Sequence, residues 1–267
     1  MFGLGRAGGC KGDGTLSWLG PDRPTASELN VPISLRERIL LSVGFLLFFE
    51  LYYPLNAFTA SRETWKPLTA IDEAAPFIPA FVFAYVSIYY ISVVPAFLFR
   101  SRWVLRRSIV AYTTMSVISF IIFLLFPVEM ILRPELMEGS SFASWLLAMI
   151  YTVDHPYNCC PSLHVGLALM GAFTIDCVDK RFGRVAWLIA FLVCISTIVI
   201  KQHYIIDVVV GYVVAYGSFW YWVGRHRQAL RRVDENVLRE SRKPSMMFLA
   251  CYVGLFVVTY ISYLMNV

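Results

Sequence analysis

Long apolar segments separated by short polar loops constrain this chain more than any other feature of its sequence. They are not amphipathic stripes, and each is close to the length of roughly 20 helical residues that crosses the hydrocarbon core of a bilayer. Hydrophobic residues make up 58% of the 267 positions and aromatic residues 16%, and the mean hydropathy is +0.63. The sequence therefore predicts an all-α fold, a polytopic transmembrane helical bundle.

Seven membrane spans are expected, six in a core and a seventh at the C-terminal end. Their predicted bounds are 39–58, 77–99, 108–128, 162–178, 185–200, 204–223 and 246–267. The corresponding domain division is a mobile N-terminal tail at 1–38, a membrane-embedded domain at 39–223, a basic cytoplasmic linker helix at 224–245 and a C-terminal transmembrane helix at 246–267. The tail lacks the apolar core that would follow the basic start of a cleavable signal peptide.

Basic residues predict the orientation of the bundle. The loops at 100–107, 179–184 and 225–243 are rich in arginine and lysine, whereas 61–76 and 129–161 hold few. Counting spans places the basic loops on one side, which we assign to the cytoplasm. The formal net charge of +5 then follows from topology, and a nucleic-acid partner is not expected.

Three of the four histidines, His155, His164 and His203, fall on the opposite, non-cytoplasmic side. An ionisable group at membrane depth costs about 2.5–3.5 kcal/mol on insertion scales, so it needs a compensating role. His164 follows Ser162 in the opening turn of a span, where free N–H groups and the helix dipole attract an anion such as phosphate. Taken alone, a capping serine and an interfacial histidine explain this pattern equally well.

His203 and Asp207 are four residues apart at the start of a later span and therefore share one helix face. A carboxylate beside an imidazole fixes its tautomer and raises its basicity, which prepares the other ring nitrogen to attack or to accept a proton. Lys201 adds a cation at the same position. The alternative is a buried His–Asp pair that only links two helices.

The spacing of these residues brings them together. From His164 the chain crosses one span, turns in a short basic loop and returns by a span of similar length, so His203 reaches the same depth. Arg133 is the one cation in the long outer loop before them, and a guanidinium can bind two phosphate oxygens at once. With Ser162 and Lys201 alongside, the pattern predicts an anion site that holds a nucleophile and a proton donor.

The sequence resembles the type 2 phosphatidic acid phosphatase superfamily, in particular its branch with the sphingomyelin and inositol phosphorylceramide synthases. Residues 161–164, PSLH, are similar to the family motif P-S-x-H. Residues 196–207, STIVIKQHYIID, are similar to the motif S-R-x5-H-x3-D, with Ser196, His203 and Asp207 in register. The two motifs lie one pair of spans apart, and the family pattern covers roughly the second half of the chain.

This resemblance implies a six-helix core and a metal-free reaction through a covalent phosphohistidine, so no cofactor is expected. His203 would attack phosphorus, Asp207 would orient His203, and His164 would protonate the leaving oxygen. Ser162 would bind phosphate oxygens at the helix N-terminus. The implied substrate is a lipid phosphate or phospholipid, and the acceptor is water or an alcohol such as inositol, ceramide or diacylglycerol.

The chain departs from the family motifs at two cationic positions. Thr197 stands where the family has an arginine after Ser196, and Phe126 stands where the motif K-x6-R-P has its lysine, although Arg133 and the following proline match. Lys201, on the next turn, is expected to supply the missing charge. Fewer fixed cations favour a phosphodiester substrate or head-group transfer over a doubly charged phosphomonoester.

Two alternatives to an enzyme stay open. A non-catalytic lipid or anion carrier could use His164, His203 and Asp207 as a binding site, and a purely structural membrane protein leaves these aligned polar residues unexplained.

Cys159 and Cys160 are expected to pack as thiols beside the site, because adjacent cysteines bridge with difficulty. The membrane is expected to be a plasma or inner membrane, with the site on its periplasmic, extracellular or lumenal side. The sequence does not predict an oligomeric state.

Overall fold

The structure, a computed structural model, describes residues 17–135, 141–240 and 243–266. It is 74% helical, and its described residues form no β-strand. The α-helices of these residues are α1 (Ala26–Leu29), α2 (Leu35–Phe49), α3 (Tyr52–Thr59), α4 (Ala70–Ala74), α5 (Val82–Leu98), α6 (Arg102–Leu125), α7 (Phe142–Val153), α8 (Leu163–Val178), α9 (Lys180–Val199), α10 (Ile205–Trp222), α11 (Arg227–Arg231), α12 (Glu235–Leu238) and α13 (Lys243–Asn266). The predicted all-α polytopic bundle is confirmed.

Six helical segments of the described residues are long and apolar enough to cross a membrane, so the chain is a multi-pass membrane protein. They are Leu35–Thr59, Pro79–Leu98, Arg102–Leu125, Lys180–Val199, Ile205–Trp222 and Lys243–Met265. Helices α2, α6 and α9 begin earlier than the predicted spans. Their first turns are charged, and a prediction based on apolar runs excludes such turns even where the helix continues.

The first of these segments is interrupted between α2 and α3. Pro54 is the third residue of α3 and has no N–H to donate to the carbonyl of Glu50. That carbonyl instead accepts a hydrogen bond from the N–H of Tyr53, at 3.2 Å. The sequence predicted one uninterrupted span here, whereas the proline ends α2 and a new helix, α3, begins. Tyr52 and Asn56 of α3 donate hydrogen bonds to the loop before α8.

Helix α8 corresponds to the predicted span at 162–178 but has only 16 residues, which makes it shorter than the other candidate spans. Thirteen of those residues are buried, and the helix packs among α5, α6, α9 and α10. A helix that is apolar on every side belongs in the interior of a bundle. Because protein surrounds α8, it need not match the full thickness of the lipid.

The three basic loops meet at one end of the bundle. The N–H of Arg100 donates to the carbonyl of Leu238 at 2.8 Å, and the N–H of Lys180 lies 3.3 Å from Oε1 of Glu235. We call this end the basic end, formed by residues 100–107, 179–184 and 225–240. The opposite end, formed by residues 59–78, 126–135, 154–162 and 199–205, is called the site end.

Residues 17–34, which lie within the predicted N-terminal tail, pack against the start of α6. Leu19 and Leu29 are buried, and the indole N–H of Trp103 donates to the carbonyl of Pro21 at 3.0 Å. Burial of the two leucines offsets the entropy lost in ordering this segment. The preceding residues 1–16 lie outside the described part of the chain.

The predicted basic linker at 224–245 folds as three short helices. A 3-10 turn at Gly224–His226 leads into α11 and α12, and Asp234 caps α12 by accepting from the N–H of Asn236 at 2.7 Å. Leu230 and Leu238 are buried in the main core. The sequence predicted one linker helix here, whereas the chain forms separate short helices, with a new N-cap at Asp234. Residues 241–242 lie outside the described part.

Candidate active site

The structure brings His164 and His203 into direct contact at the site end. His164 is the second residue of α8, and His203 lies two residues before α10. Nδ1 of His164 is 3.2 Å from Nε2 of His203, although the residues are 39 positions apart in the chain. Only 6% of the His203 side chain and 15% of the His164 side chain are exposed. Two imidazoles thus face one another in a largely dehydrated site.

Two acceptors orient the His203 ring from the side away from His164. Its Nδ1 lies 2.9 Å from the carbonyl oxygen of Cys159 and 3.5 Å from Oδ2 of Asp207. We therefore assign a proton to Nδ1, which leaves the lone pair of Nε2 directed at His164. Asp207 is fully buried, and its Oδ2 also accepts from the N–H of Tyr204 at 2.9 Å. A fixed ring with an unprotonated nitrogen is the arrangement that a nucleophilic histidine needs.

Helices α8 and α10 approach closely where they carry these histidines. A Cβ atom on Gly211 would lie 2.7 Å from the carbonyl oxygen of Ser162, so a side chain at this position requires the two helices to separate. One turn earlier in α10, the carbonyl of Asp207 accepts from the N–H of Ser162 at 3.0 Å. This contact sets the spacing between His164 and His203.

Ser162 is the N-cap of α8, and its Oγ accepts from the N–H of Val165 at 3.3 Å. Pro161 precedes the cap and follows a cis peptide bond. The first N–H groups of a helix have no partner within that helix and carry its positive dipole end. His164 lies in this turn, so an anion bound there would meet both the dipole and the imidazole; the phosphate-binding role of Ser162 stays a prediction.

Lys201 lies at the tight turn between α9 and α10, with a φ of +53°. This left-handed conformation is uncommon for a residue with a side chain. The ammonium donates to the carbonyl oxygens of Asp72 and Ala75, at 2.8 and 2.6 Å. The turn lets the N–H groups of Gln202 and His203 share the carbonyl of Thr197, at 2.9 and 3.0 Å. Lys201 therefore stabilises the turn that presents His203, and its predicted contact with phosphate stays a prediction.

Arg133 lies in the loop after α6 and contacts residues next to the histidine pair. Its guanidinium donates to the carbonyl of Asp154 at 2.6 Å and to Oε1 of Gln202, and it lies 4.6 Å from the ring centre of Tyr151. Its Nε is buried without a partner among the described residues. The cation is thus held beside the site with one N–H available, which fits its predicted role as a phosphate ligand.

Polar residues that sequence reasoning did not assign to the site surround the outer side of His164. Nε2 of His164 is 2.5 Å from the hydroxyl oxygen of Tyr85 and 3.9 Å from Oδ2 of Asp154. Asp154 also accepts from Tyr52 at 2.6 Å, and the amide of Gln202 donates to the Tyr85 hydroxyl at 3.1 Å.

A cavity of about 510 Å³ begins at His164 and Asp154 and runs along the bundle between α2, α5, α6 and α13. Apolar side chains dominate its lining, among them Leu46, Val86 and Phe256. It reaches Ser108, near the start of α6 and the basic end. The cavity therefore offers a mainly apolar volume with His164 and Asp154 at its polar end.

His203 and two neighbouring side chains have the chemistry of possible metal ligands. Cys159, His203 and Asp207 each place one potential ligand atom within 4.8 Å of the others. Burial, followed by the charge of Asp207, raises the pKa of the Cys159 thiol well above its usual value. The thiol donates to the carbonyl of Pro156 at 3.2 Å. Because metal ligation requires the thiolate, this trio fits a packed thiol beside an oriented histidine better than a metal site.

Comparison with known proteins tests the family to which this constellation points. A family model described as the PAP2 superfamily matches residues 61–221, which is more than half of the chain. The chain belongs to the PAP2 superfamily. A search of curated proteins found no match. Membership indicates a membrane phosphatase or phosphotransferase, while the match does not distinguish the branches within the superfamily.

The PAP2 match includes both histidines, Asp207, Arg133 and Asp154, whereas α2, α3 and α13 lie outside it. These three helices nevertheless form part of the cavity wall. The matched region thus contains the histidine pair, and helices outside it complete the mainly apolar cavity that begins at His164.

Proposed function

We propose that the protein is an integral-membrane lipid phosphatase or phosphotransferase that acts on a lipid phosphate or phospholipid at the non-cytoplasmic face. The observation that carries this proposal is the pair of histidines 3.2 Å apart, of which His164 lines one end of a mainly apolar cavity. The first step forms a phosphohistidine on His203. The acceptor in the second step is water in a phosphatase and an alcohol, such as inositol, ceramide or diacylglycerol, in a transferase.

The reaction follows from the orientation of the two rings. A phosphoryl group enters between them, Nε2 of His203 forms a bond to phosphorus, and the ester bond to the lipid oxygen breaks. Nδ1 of His164 gives its proton to that oxygen, and in the second step the same nitrogen removes a proton from the acceptor. Asp207 and the Cys159 carbonyl hold the proton on Nδ1 of His203 throughout.

The cavity supports a substrate with a long hydrocarbon chain. Its volume of about 510 Å³ lies in the range of cavities that bury drug-sized ligands. Apolar side chains dominate its lining, although Glu50 and three serines also line it, so most of its wall suits a hydrocarbon chain. The polar head of the substrate would then stay at the site end, beside Arg133 and the first turn of α8.

A head-group transferase of the phosphosphingolipid or phosphoinositol-lipid synthase type is the second candidate. Thr197 and Phe126 occupy positions where the family motifs carry cations, and the ammonium of Lys201 already has two carbonyl partners. Arg133 is then the main fixed cation available to the phosphate. A phosphodiester carries one negative charge, so it requires less compensation than a doubly charged phosphomonoester.

The charge distribution supports the proposed localisation. Loops rich in arginine and lysine are enriched on the cytoplasmic side of a membrane, which supports an orientation with the basic end inside. The site end would then face the periplasm, the extracellular space or a lumen. A plasma or inner membrane is the proposed location.

Product analysis by mass spectrometry tests the proposal. The purified full chain in lipid would receive phosphatidic acid, lysophosphatidic acid, phosphatidylinositol or phosphatidylcholine, with and without inositol, ceramide or diacylglycerol. We expect free phosphate if the acceptor is water and a new phosphodiester lipid if it is an alcohol. His203→Ala and His164→Ala should each lower product formation by at least about 100-fold, since acid–base and nucleophilic groups contribute factors of this size.

His155→Ala is the matched control, because His155 is exposed at the same end of the bundle and should retain full turnover. Lipid-phosphate binding without any product, unchanged in both histidine variants, would replace the enzyme by a non-catalytic lipid or anion carrier. Turnover that survives His203→Ala would exclude the covalent mechanism.

A further inference from the structure

His164 has its own carboxylate, as His203 has Asp207. Oδ2 of Asp154 lies 3.9 Å from Nε2 of His164, and the hydroxyl of Tyr85 lies between them, 2.5 Å from Nε2 and 3.4 Å from Oδ2. The other oxygen of Asp154 accepts from Tyr52. The His164 ring is therefore held from the side opposite to His203.

The environment fixes this carboxylate in place. Tyr52 on α3 and Gln202 beside the nucleophile donate to its two oxygens, at 2.6 and 3.5 Å. The guanidinium of Arg133 donates to the main-chain carbonyl of Asp154 at 2.6 Å. These donors come from separate parts of the chain, and the side chain of Asp154 is only 16% exposed. Such a network positions a group more firmly than a solvated loop would.

We propose that Asp154 and Tyr85 are positioning residues for the acid–base role of His164, which gives the site a second carboxylate-supported histidine. The proposal rests on the proposed function. Nε2 of His164 keeps its proton and donates it to the hydroxyl oxygen of Tyr85, while that hydroxyl donates to Oδ2 of Asp154. Nδ1 of His164 then faces the reacting centre with the proton that passes to the leaving oxygen.

The charges balance in this arrangement. Before the proton on Nδ1 passes to the leaving oxygen, the protonated ring of His164 carries a positive charge. The negative charge of Asp154 compensates for it in a site with little water. After the transfer the imidazole is neutral, the leaving group departs as an alcohol, and Asp154 remains a carboxylate. The carboxylate therefore supports the acid without accepting a proton itself.

Two substrates with different leaving groups distinguish a positioning role of Asp154 and Tyr85 from a merely structural one. The leaving group of decyl phosphate is an alkoxide, which needs a proton. The leaving group of 4-decyl-2-nitrophenyl phosphate is a stabilised nitrophenolate, which departs without one. Rapid mixing of the full chain with each substrate measures the first burst of alcohol or nitrophenolate, before the second step limits turnover. We expect Asp154→Asn to slow the decyl phosphate burst by about 100-fold, a typical contribution of general acid catalysis, and the nitrophenyl burst by less than about threefold.

Tyr85→Phe removes the bridging hydroxyl and should give the same dependence on the leaving group. Asp154→Glu should restore part of the decyl phosphate burst. Glu129→Gln is the matched control, since Glu129 lies at the site end with Thr64 and Lys66 as its partners and should leave both bursts unchanged.

An equal loss on both substrates in Asp154→Asn and Tyr85→Phe, or no loss on either, would overturn the proposal. If the wild type itself turned over neither substrate and no lipid of the product assay, the proposed function would fail instead. The two failures are therefore distinguishable.

Discussion

At the scale of single residues, the cations of the site have different surroundings. Lys201 is committed to two main-chain carbonyls, whereas Arg133 has a buried Nε without a partner among the described residues. A guanidinium can hold its protein acceptors and still bind an oxygen, because it offers five donors in a fixed plane. Arg133 is for this reason the best placed cation for a substrate phosphate.

Arg133→Lys should lower kcat/KM on the preferred substrate by roughly tenfold to 100-fold. Lysine keeps the charge but loses the planar set of donors, and one hydrogen bond to a charged group contributes about 1.5–3 kcal/mol. Steady-state kinetics would measure the loss. Arg62→Lys is the control, since Arg62 is exposed at the same end and lies over Phe58. Wild-type kcat/KM in Arg133→Lys would remove the guanidinium from the phosphate site.

The residues of the site divide into those that sequence could and could not predict. Motif spacing and helix length were sufficient to place His164 and His203 at one depth, since both follow from counting residues through two spans. Tyr85 could not be found in this way, because it lies in an apolar run with two other tyrosines, Tyr89 and Tyr90, and no motif distinguishes it from them. Only the three-dimensional packing of α5 against α8 selects it.

At the scale of helices, the contact between α8 and α10 determines the geometry of the histidine pair. Gly211 allows the α10 backbone to approach Ser162 so closely that no Cβ fits. A Cβ atom on Gly217, in the same helix, would meet no atom of another described segment within 4 Å. The two glycines therefore separate the effect of close approach from the general effect of glycine on a helix.

Gly211→Ala should lower both thermal stability and turnover, while Gly217→Ala should lower neither. Alanine favours a helix over glycine by up to about 1 kcal/mol at either position, but overpacking at Gly211 costs about 1–3 kcal/mol. Thermal unfolding in detergent and the product assay measure the two effects. Equal stability and activity of the two variants would show that the contact between α8 and α10 does not set the active-site geometry.

At the scale of the whole molecule, hydropathy predicted the bundle because each span must satisfy its backbone hydrogen bonds within a helix. The break before α3 was not predicted, because a count of apolar residues gives no weight to Pro54. The short length of α8 was predicted to within one residue, but its enclosure was not, since an apolar run contains no information about whether lipid or protein surrounds it. The cavity beside His164 was also beyond sequence analysis. It lies between α2, α5, α6 and α13, whose side chains leave a space of about 510 Å³.

The central claim is that His203 becomes covalently phosphorylated during turnover. The most direct measurement incubates the wild-type chain with a substrate from the product assay that carries labelled phosphorus, quenches the reaction in alkali, which preserves phosphohistidine, and maps the label by mass spectrometry. We predict label on His203, none in His203→Ala, and loss of the label when the acceptor is added. Rapid turnover without label on His203, or label on another residue, would contradict the mechanism.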